Sequence, residues 1–306
     1  MKYIAALLTI LFISSLSSPS WSEQVNMHDL VERNEIWYQK FTDTPFNGEV
    51  SGLTNGEFKN GKKNGVWKTY WENGQLRKNV SYENGKREGP LVEYNENGNV
   101  ILRASYKNDQ VNGLYEAYWA NGQIANTGHY KNGRIEGFYM EYRKNGTLVH
   151  KGSWVDGKRN GLFEYYYDSG NLKKKTSYIN GKKNGPFEVY HLNGKLEQKG
   201  SYKNNKLEGL SEDYYENGQL EAKQNFIDGR TDGLVEVYHE NGQLMFEGNF
   251  KNGNPGDGPI TVFYSNGKVE IIGYHENGKR HGFWEFFKED GSLERTAAYK
   301  YGEEVE

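Results

Sequence analysis

Apolar and polar residues alternate in short runs along this chain, and glycine, most often preceded by asparagine, breaks the runs every 10 to 14 residues. The stretch Tyr82–Ile101, YENGKREGPLVEYNENGNVI, holds two Asn-Gly pairs, each between segments rich in aromatic and apolar residues. Counting from a glycine as position zero, the pattern restarts at Gly65, Gly89, Gly113, Gly137, Gly161, Gly185, Gly209, Gly233, Gly258 and Gly282. Every interval is 24 residues except one of 25, at the insertion Asn254-Pro255-Gly256-Asp257. Position five is always aromatic, from Tyr70 to Phe287, and position nine is always glycine. Position eleven is always leucine, valine or isoleucine, from Leu76 to Leu293, and a second aromatic column runs from Tyr82 through Trp154 and Phe250 to Tyr299.

Punctuation this dense leaves no room for long helices, and the β-branched and aromatic segments between the glycines read as strands. An Asn-Gly pair between two such segments predicts a type I′ hairpin turn, because both central residues of that turn need positive φ. In the unit at Gly113, Leu114–Trp119 is one strand, Asn121-Gly122 the turn and Ile124–Tyr130 the returning strand. Residues two apart share a face of a sheet. Position one (Val66, Leu114, Phe138, Leu162) and the position-five aromatics therefore point the same way, and the filled aromatic column marks theirs as the packed face. The expected fold is all-β: an elongated, single-layer, twisted antiparallel meander of about ten 24-residue hairpins. Twenty strands at the usual spacing would extend about 95 Å before curvature.

The first residues do not fit the repeat. Lys2 precedes an apolar run from Tyr3 to Leu16, and Ser20 and Ser22 stand at the small-residue positions of a secretory cleavage site before Glu23. The expected organisation is a signal peptide over 1–22, a lead-in cap over 23–57, the array over 58–302 and an acidic tail over 303–306, with export to the periplasm or exterior after a cut between Ser22 and Glu23. The chain has no cysteine, so neither disulfides nor a lipidated cysteine enter the picture. Its net charge is −3, which becomes −4 when Lys2 leaves with the leader. That balance argues against nucleic acid, whose binders present basic surfaces, and disfavours an anionic membrane surface.

Candidate chemistry is sparse. The seven histidines do not cluster at ligand spacing, so no metal site is expected. Glu116, Glu164, Glu188, Glu212, Glu236 and Glu285 recur at or near position three. Paired carboxylates serve glycoside hydrolysis when a cleft desolvates one of them, but an open sheet with neighbouring lysines offers ion pairing instead. No Gly-x-Ser-x-Gly elbow occurs and no glycine turn leads into a helix, so neither a catalytic residue nor a cofactor is assigned. One column stands out. Position six reads Trp71, Asn95, Trp119, Arg143, Tyr167, His191, Tyr215, His239, Tyr264, Lys288, aromatic and polar in strict alternation. It lies on the face opposite position five, where Trp71, Trp119, Tyr167, Tyr215 and Tyr264 would form a spaced row of exposed partner anchors. Ordinary packing on the outer face or on lysine stems is the competing account.

The phrases KNGKKNGVWKTYWENGQL (Lys59–Leu76) and YENGKREGPLVEYNENG (Tyr82–Gly98) resemble the MORN repeat, and more closely its second variant as found in YwqK-type antitoxins of bacteria. The resemblance covers about Phe58 to Gly302, and LVERNEIWYQKFTDTPFNGEVSG (Leu30–Gly52) resembles the lead-in of secreted arrays of this kind. It implies a repeat scaffold that docks proteins or lies near membranes, with no catalytic set to carry over. The function expected is a non-enzymatic scaffold for protein–protein interaction in the bacterial envelope or exterior, with an antitoxin or immunity role by resemblance. The alternative is a glycan or cell-wall binding module that stacks its spaced aromatics on sugars.

Overall fold

A computed structural model describes residues 25–305. The expected leader and its cut between Ser22 and Glu23 lie outside the described residues. One sheet of 25 strands holds nearly everything, and each strand pairs antiparallel with its neighbours in chain order. Only its first strand, Val25–Asn26, runs parallel to its partner, Gly48–Ser51. A small separate hairpin, Leu30–Arg33 with Ile36–Gln39, sits over that end. There Leu30 is buried, and Trp37 and Phe46 pack on Phe58 with ring centroids 5.6 and 5.8 Å away. At the other end the short acidic strand Glu303–Val305 closes the sheet.

Each unit contributes two strands, as in Gln110–Tyr118 and Ile124–Lys131, joined by two kinds of turn. At Asn132-Gly133 both residues are left-handed (φ +50° and +76°), the type I′ geometry expected of Asn-Gly. Asn121-Gly122 is different. Of that turn only Gly122 has positive φ (+85°), and its N–H donates to the Trp119 carbonyl while the Trp119 N–H donates to Gln123. That is a type I turn followed by a left-handed glycine, so the I′ reading there is corrected, although the demand for glycine stands. A third glycine per unit, at position zero, also has positive φ and sits where the strand register slips, as at Gly137 between the Gly128–Tyr139 and Tyr130–Ile135 pairs.

The packed face is the one opposite to that expected. Position two, not position one, is buried: Trp67, Leu91, Phe163, Phe187, Val235, Ile260 and Trp284 all fall in the core. Phe163 has no exposed surface, while Phe138, at position one, is 66% exposed. A single sheet has no second layer to supply this cover, so the rings lie down on the sheet itself. Gly128 and Gly152, at position fifteen, stand directly opposite Tyr139 and Phe163, and a Cβ on either would collide with the facing ring. Missing side chains thus provide the floor on which the rings rest. The second aromatic column shares this inner face: Phe163 meets Tyr178 edge-on at 5.1 Å and Trp284 meets Tyr299 at 5.9 Å. Position five shares the outer face with position one, as its pairing with the position-three glutamates shows.

Candidate interaction surfaces

Through the middle of the array, from Lys151 to Glu236, outer-face positions three, five and fourteen form a polar ladder. Lys175 stands directly across from both Glu164 and Glu188. Lys151 meets Glu164 at 2.7 Å, Lys175 meets Glu188 at 3.2 Å, Lys199 meets Glu212, and Lys223 meets Glu236 at 3.4 Å. Tyr118, Tyr166 and Tyr214 donate their hydroxyls to Glu116, Glu164 and Glu212 at 2.6–2.8 Å, and Tyr190 does the same to Glu188. The bond from Lys151 holds the Glu164 carboxyl below the usual range, as the Tyr190 hydroxyl does for Glu188 and Lys199 for Glu212. These three glutamates therefore stay ionised and act as acceptors, the opposite of the raised carboxyl that a general acid requires. Among the described residues no three His, Asp or Glu side chains gather in the manner of a metal site.

Beside this ladder runs a row that the sequence reading had placed in the core. Val66, Leu114, Phe138, Leu162, Leu210, Leu234 and Phe283 at position one are all exposed. Pro90, Pro186 and Pro259 fill the remaining units and are exposed as well. Across the strand, small polar residues such as Ser81, Ser153, Ser177 and Ser201 separate them. The outcome is an apolar side chain at every second strand, about 10 Å apart, along the length of the array.

The alternating column at position six is tied into the sheet edge. The indole N–H groups of Trp71 and Trp119 donate to the carbonyls of Tyr94 and Tyr142 in the following unit, at 3.2 and 3.1 Å. Hydroxyls of Tyr167, Tyr215 and Tyr264 donate at 2.7 Å to Tyr190, Tyr238 and Phe287. Polar members do the same work: Arg143 donates to the Tyr166 carbonyl at 3.1 Å, and the Nε2 atoms of His191 and His239 lie 2.8 and 3.0 Å from those of Tyr214 and Phe263. Eight of the ten members thus reach the next unit, whereas Asn95 accepts from the N–H groups of Asn97 and Asn99 in its own turn. Trp119 is 38% exposed and the other four rings are half-buried, so the row is less open than expected. The signal missed in the sequence was the column of Gly128, Gly152, Gly200, Gly248 and Gly273, which marks position two as the buried one.

Two more columns join unit to unit at the turns. Side-chain amides of Asn73, Asn121, Asn193, Asn217, Asn241 and Asn266 donate to a carbonyl one unit on, at 2.7–3.0 Å. At the opposite edge the N–H of Gly133 donates to Val111 and that of Gly157 to Ile135, and the series continues to Gly302. The insertion interrupts it: the N–H of Gly278 reaches only the Asp257 carboxylate, at 3.4 Å.

The MORN repeat variant family matches eight segments, 63–84, 87–108, 111–132, 159–180, 183–204, 207–228, 231–252 and 257–277, together more than half of the chain. The unit at Gly137 lies outside them yet has the same strands, Arg134–Tyr142 and Leu148–Val155. No curated relative matches the sequence. Among solved structures, the crystal structure of TcdB2-TccC3-TEV matches at 13% identity over 82% of this chain and 17% of that one, with a TM-score of 0.19. The Photorhabdus luminescens Tc holotoxin pore matches at 14% identity over 81% of this chain and 17% of that one, with a TM-score of 0.18. The chain thus spans under one fifth of the length of these two structures.

Proposed function

Because the chain belongs to the MORN repeat variant family, whose arrays are non-catalytic repeat scaffolds, we propose that it is a non-enzymatic scaffold that grips a protein partner in the bacterial envelope or exterior. The observation that carries this reading is the outer apolar row from Val66 to Phe283. Exposed apolar side chains repeated in all ten units add nothing to the core, and their constant pitch presents a partner with a regular line of contacts. A toxin-neutralising or immunity role is the specific form of this proposal, suggested by the resemblance of its repeat phrases to YwqK-type arrays.

The decisive comparison is between wild type and a Leu114→Ser/Phe138→Ser/Leu162→Ser variant used as bait in an envelope extract. Wild type should retain a discrete protein that the variant loses, with the two thermal midpoints within a few degrees. Equal retention by both would remove the row from the interface. The rings Trp71, Trp119, Tyr167, Tyr215 and Tyr264 are proposed as flanking contacts. Tyr167→Phe and Tyr215→Phe keep the ring while removing the bond to the next unit, so they separate contact from architecture. Trp119, with the most open ring of the five, favours sugar stacking as a second reading. Tryptophan fluorescence unchanged by peptidoglycan fragments would dismiss it.

A further inference from the structure

We infer that the middle of the inner face is a seat for an acidic segment of a protein partner, built from Arg159, Lys174 and Lys183. This rests on the protein-scaffold reading. The three cations come from three successive strands, Lys158–Tyr166, Leu172–Ile179 and Lys182–Tyr190. Arg159 lies over the rings of Phe163, Tyr178 and Trp154 at 5.2–5.6 Å and donates to the Tyr178 hydroxyl at 3.4 Å. The Lys183 ammonium stands 4.8 Å from the Tyr202 ring centre. Lys174 has Tyr165 and Val189 as its cross-strand neighbours. Burial holds its ammonium below the ordinary lysine range, Lys183 pushes the same way, and no carboxylate acts on it.

Cations elsewhere on this face have acidic company. Lys78 meets Glu93 at 2.8 Å, Arg87 meets Asp109 at 3.0 Å, and Glu32 acts on Lys63. Arg280 donates to the Tyr299 hydroxyl, which donates in turn to Glu304. In the middle of the array Glu141 is engaged by the Nδ1 of His150, at 3.4 Å. Among the described residues none of Arg159, Lys174 and Lys183 forms an ion pair. An independent observation falls in the same patch. The Thr176 hydroxyl, on a residue with no exposed surface, and the Trp154 indole N–H are buried without a hydrogen-bond partner. Thr176 sits between Lys174 and Tyr178 on its strand, and Trp154 faces Arg159 directly.

The spread of the charges selects the ligand. Arg159 and Lys183 share a column two strands apart, about 10 Å between their backbones, and each leans over a different ring, Tyr178 and Tyr202. The backbone N–H groups of the paired strands are engaged by the ladder, so a compact oxyanion finds no nest of amides. Carboxylates on several residues of one segment match separated side-chain cations instead, and the aromatic walls between them accept its methylene groups.

The test uses the purified chain and an octaglutamate peptide, with octaglutamine and inorganic phosphate as comparison ligands, followed by calorimetry and tryptophan fluorescence. Octaglutamate should bind saturably at one site and octaglutamine should not. Lys174→Met/Lys183→Met should weaken binding at least tenfold with an unchanged β-type circular dichroism spectrum. Lys151→Met/Lys199→Met, an equal loss of charge on the outer face, should leave binding within twofold. Lys174→Gln alone serves if the double variant does not fold, and should weaken binding at least threefold. Equal weakening by inner and outer variants, equal binding of the two peptides, or phosphate saturating the site as tightly as octaglutamate would each overturn the proposal. None of these outcomes depends on the outer apolar row, so this seat and the scaffold reading can fail separately.

Discussion

Gly122 and Gly152 resist substitution for unrelated reasons. Gly122 has φ +85° with open space where a Cβ would be, so a side chain costs backbone strain alone, about 1–2 kcal/mol. Gly152 has no left-handed φ, but a Cβ there would run into the Phe163 ring, and such overpacking costs typically 1–3 kcal/mol. Asparagine tolerates the left-handed region, so Gly122→Asn should be nearly silent in urea titrations while Gly152→Asn should be severe. The reverse order would mean that the ring does not lie on the strand. Phe163→Ala should cost about 3–5 kcal/mol, whereas its neighbour Leu162→Ala should stay within about 0.5 kcal/mol. These adjacent residues also show why the faces were misread. Leucine and phenylalanine are both apolar, so alternation alone does not say which one is inside. What decides is the glycine on the facing strand, a relation between residues 11 apart in sequence that no local pattern reveals.

Hairpins were legible because each turn sets a glycine at positive φ whichever of the two geometries it takes, and their constant pitch because every turn repeats. The bonds between turns were not, since they join residues about 20 to 24 positions apart. The gap in the series at Gly133 and Gly157 is measurable: the amide of Gly278, without a backbone carbonyl partner in the unit before, should exchange its hydrogen faster than either of them. Comparable protection at all three would mean that the insertion does not break the series. The outer ladder predicts a pH response. Glu164, Glu188 and Glu212 have folded-state pKa values depressed below the reference of 4.5. Their contribution is therefore complete above about pH 4.5 and is lost as the pH falls through the depressed values. Glu164→Gln/Glu188→Gln/Glu212→Gln should flatten the fall of the thermal midpoint below pH 4.5. An unchanged acid limb would show that these exposed pairs add little, as surface pairs often do.

Each unit touches chiefly its two neighbours, so stability is spread along the array rather than gathered in one centre. Excising residues 111–134 removes one complete period and joins Gln110 to Ile135 in phase. That variant should still unfold cooperatively and should be shorter by about 10 Å in small-angle scattering. Excising 111–122 puts a returning strand where an outgoing one belongs and should not fold. The lead-in hairpin matters differently, because Trp37 and Phe46 cover Phe58 at the sheet's first edge. The one-dimensional order of the sheet also has a mechanical meaning. Tension applied between the two ends pulls across the strands, opening their hydrogen bonds a few at a time instead of shearing them all together. A unit that occupies about 10 Å along the sheet would release about 80 Å of extended chain. The molecule would therefore lengthen under a low, nearly steady load, hairpin by hairpin from its ends, as a tether that yields without snapping.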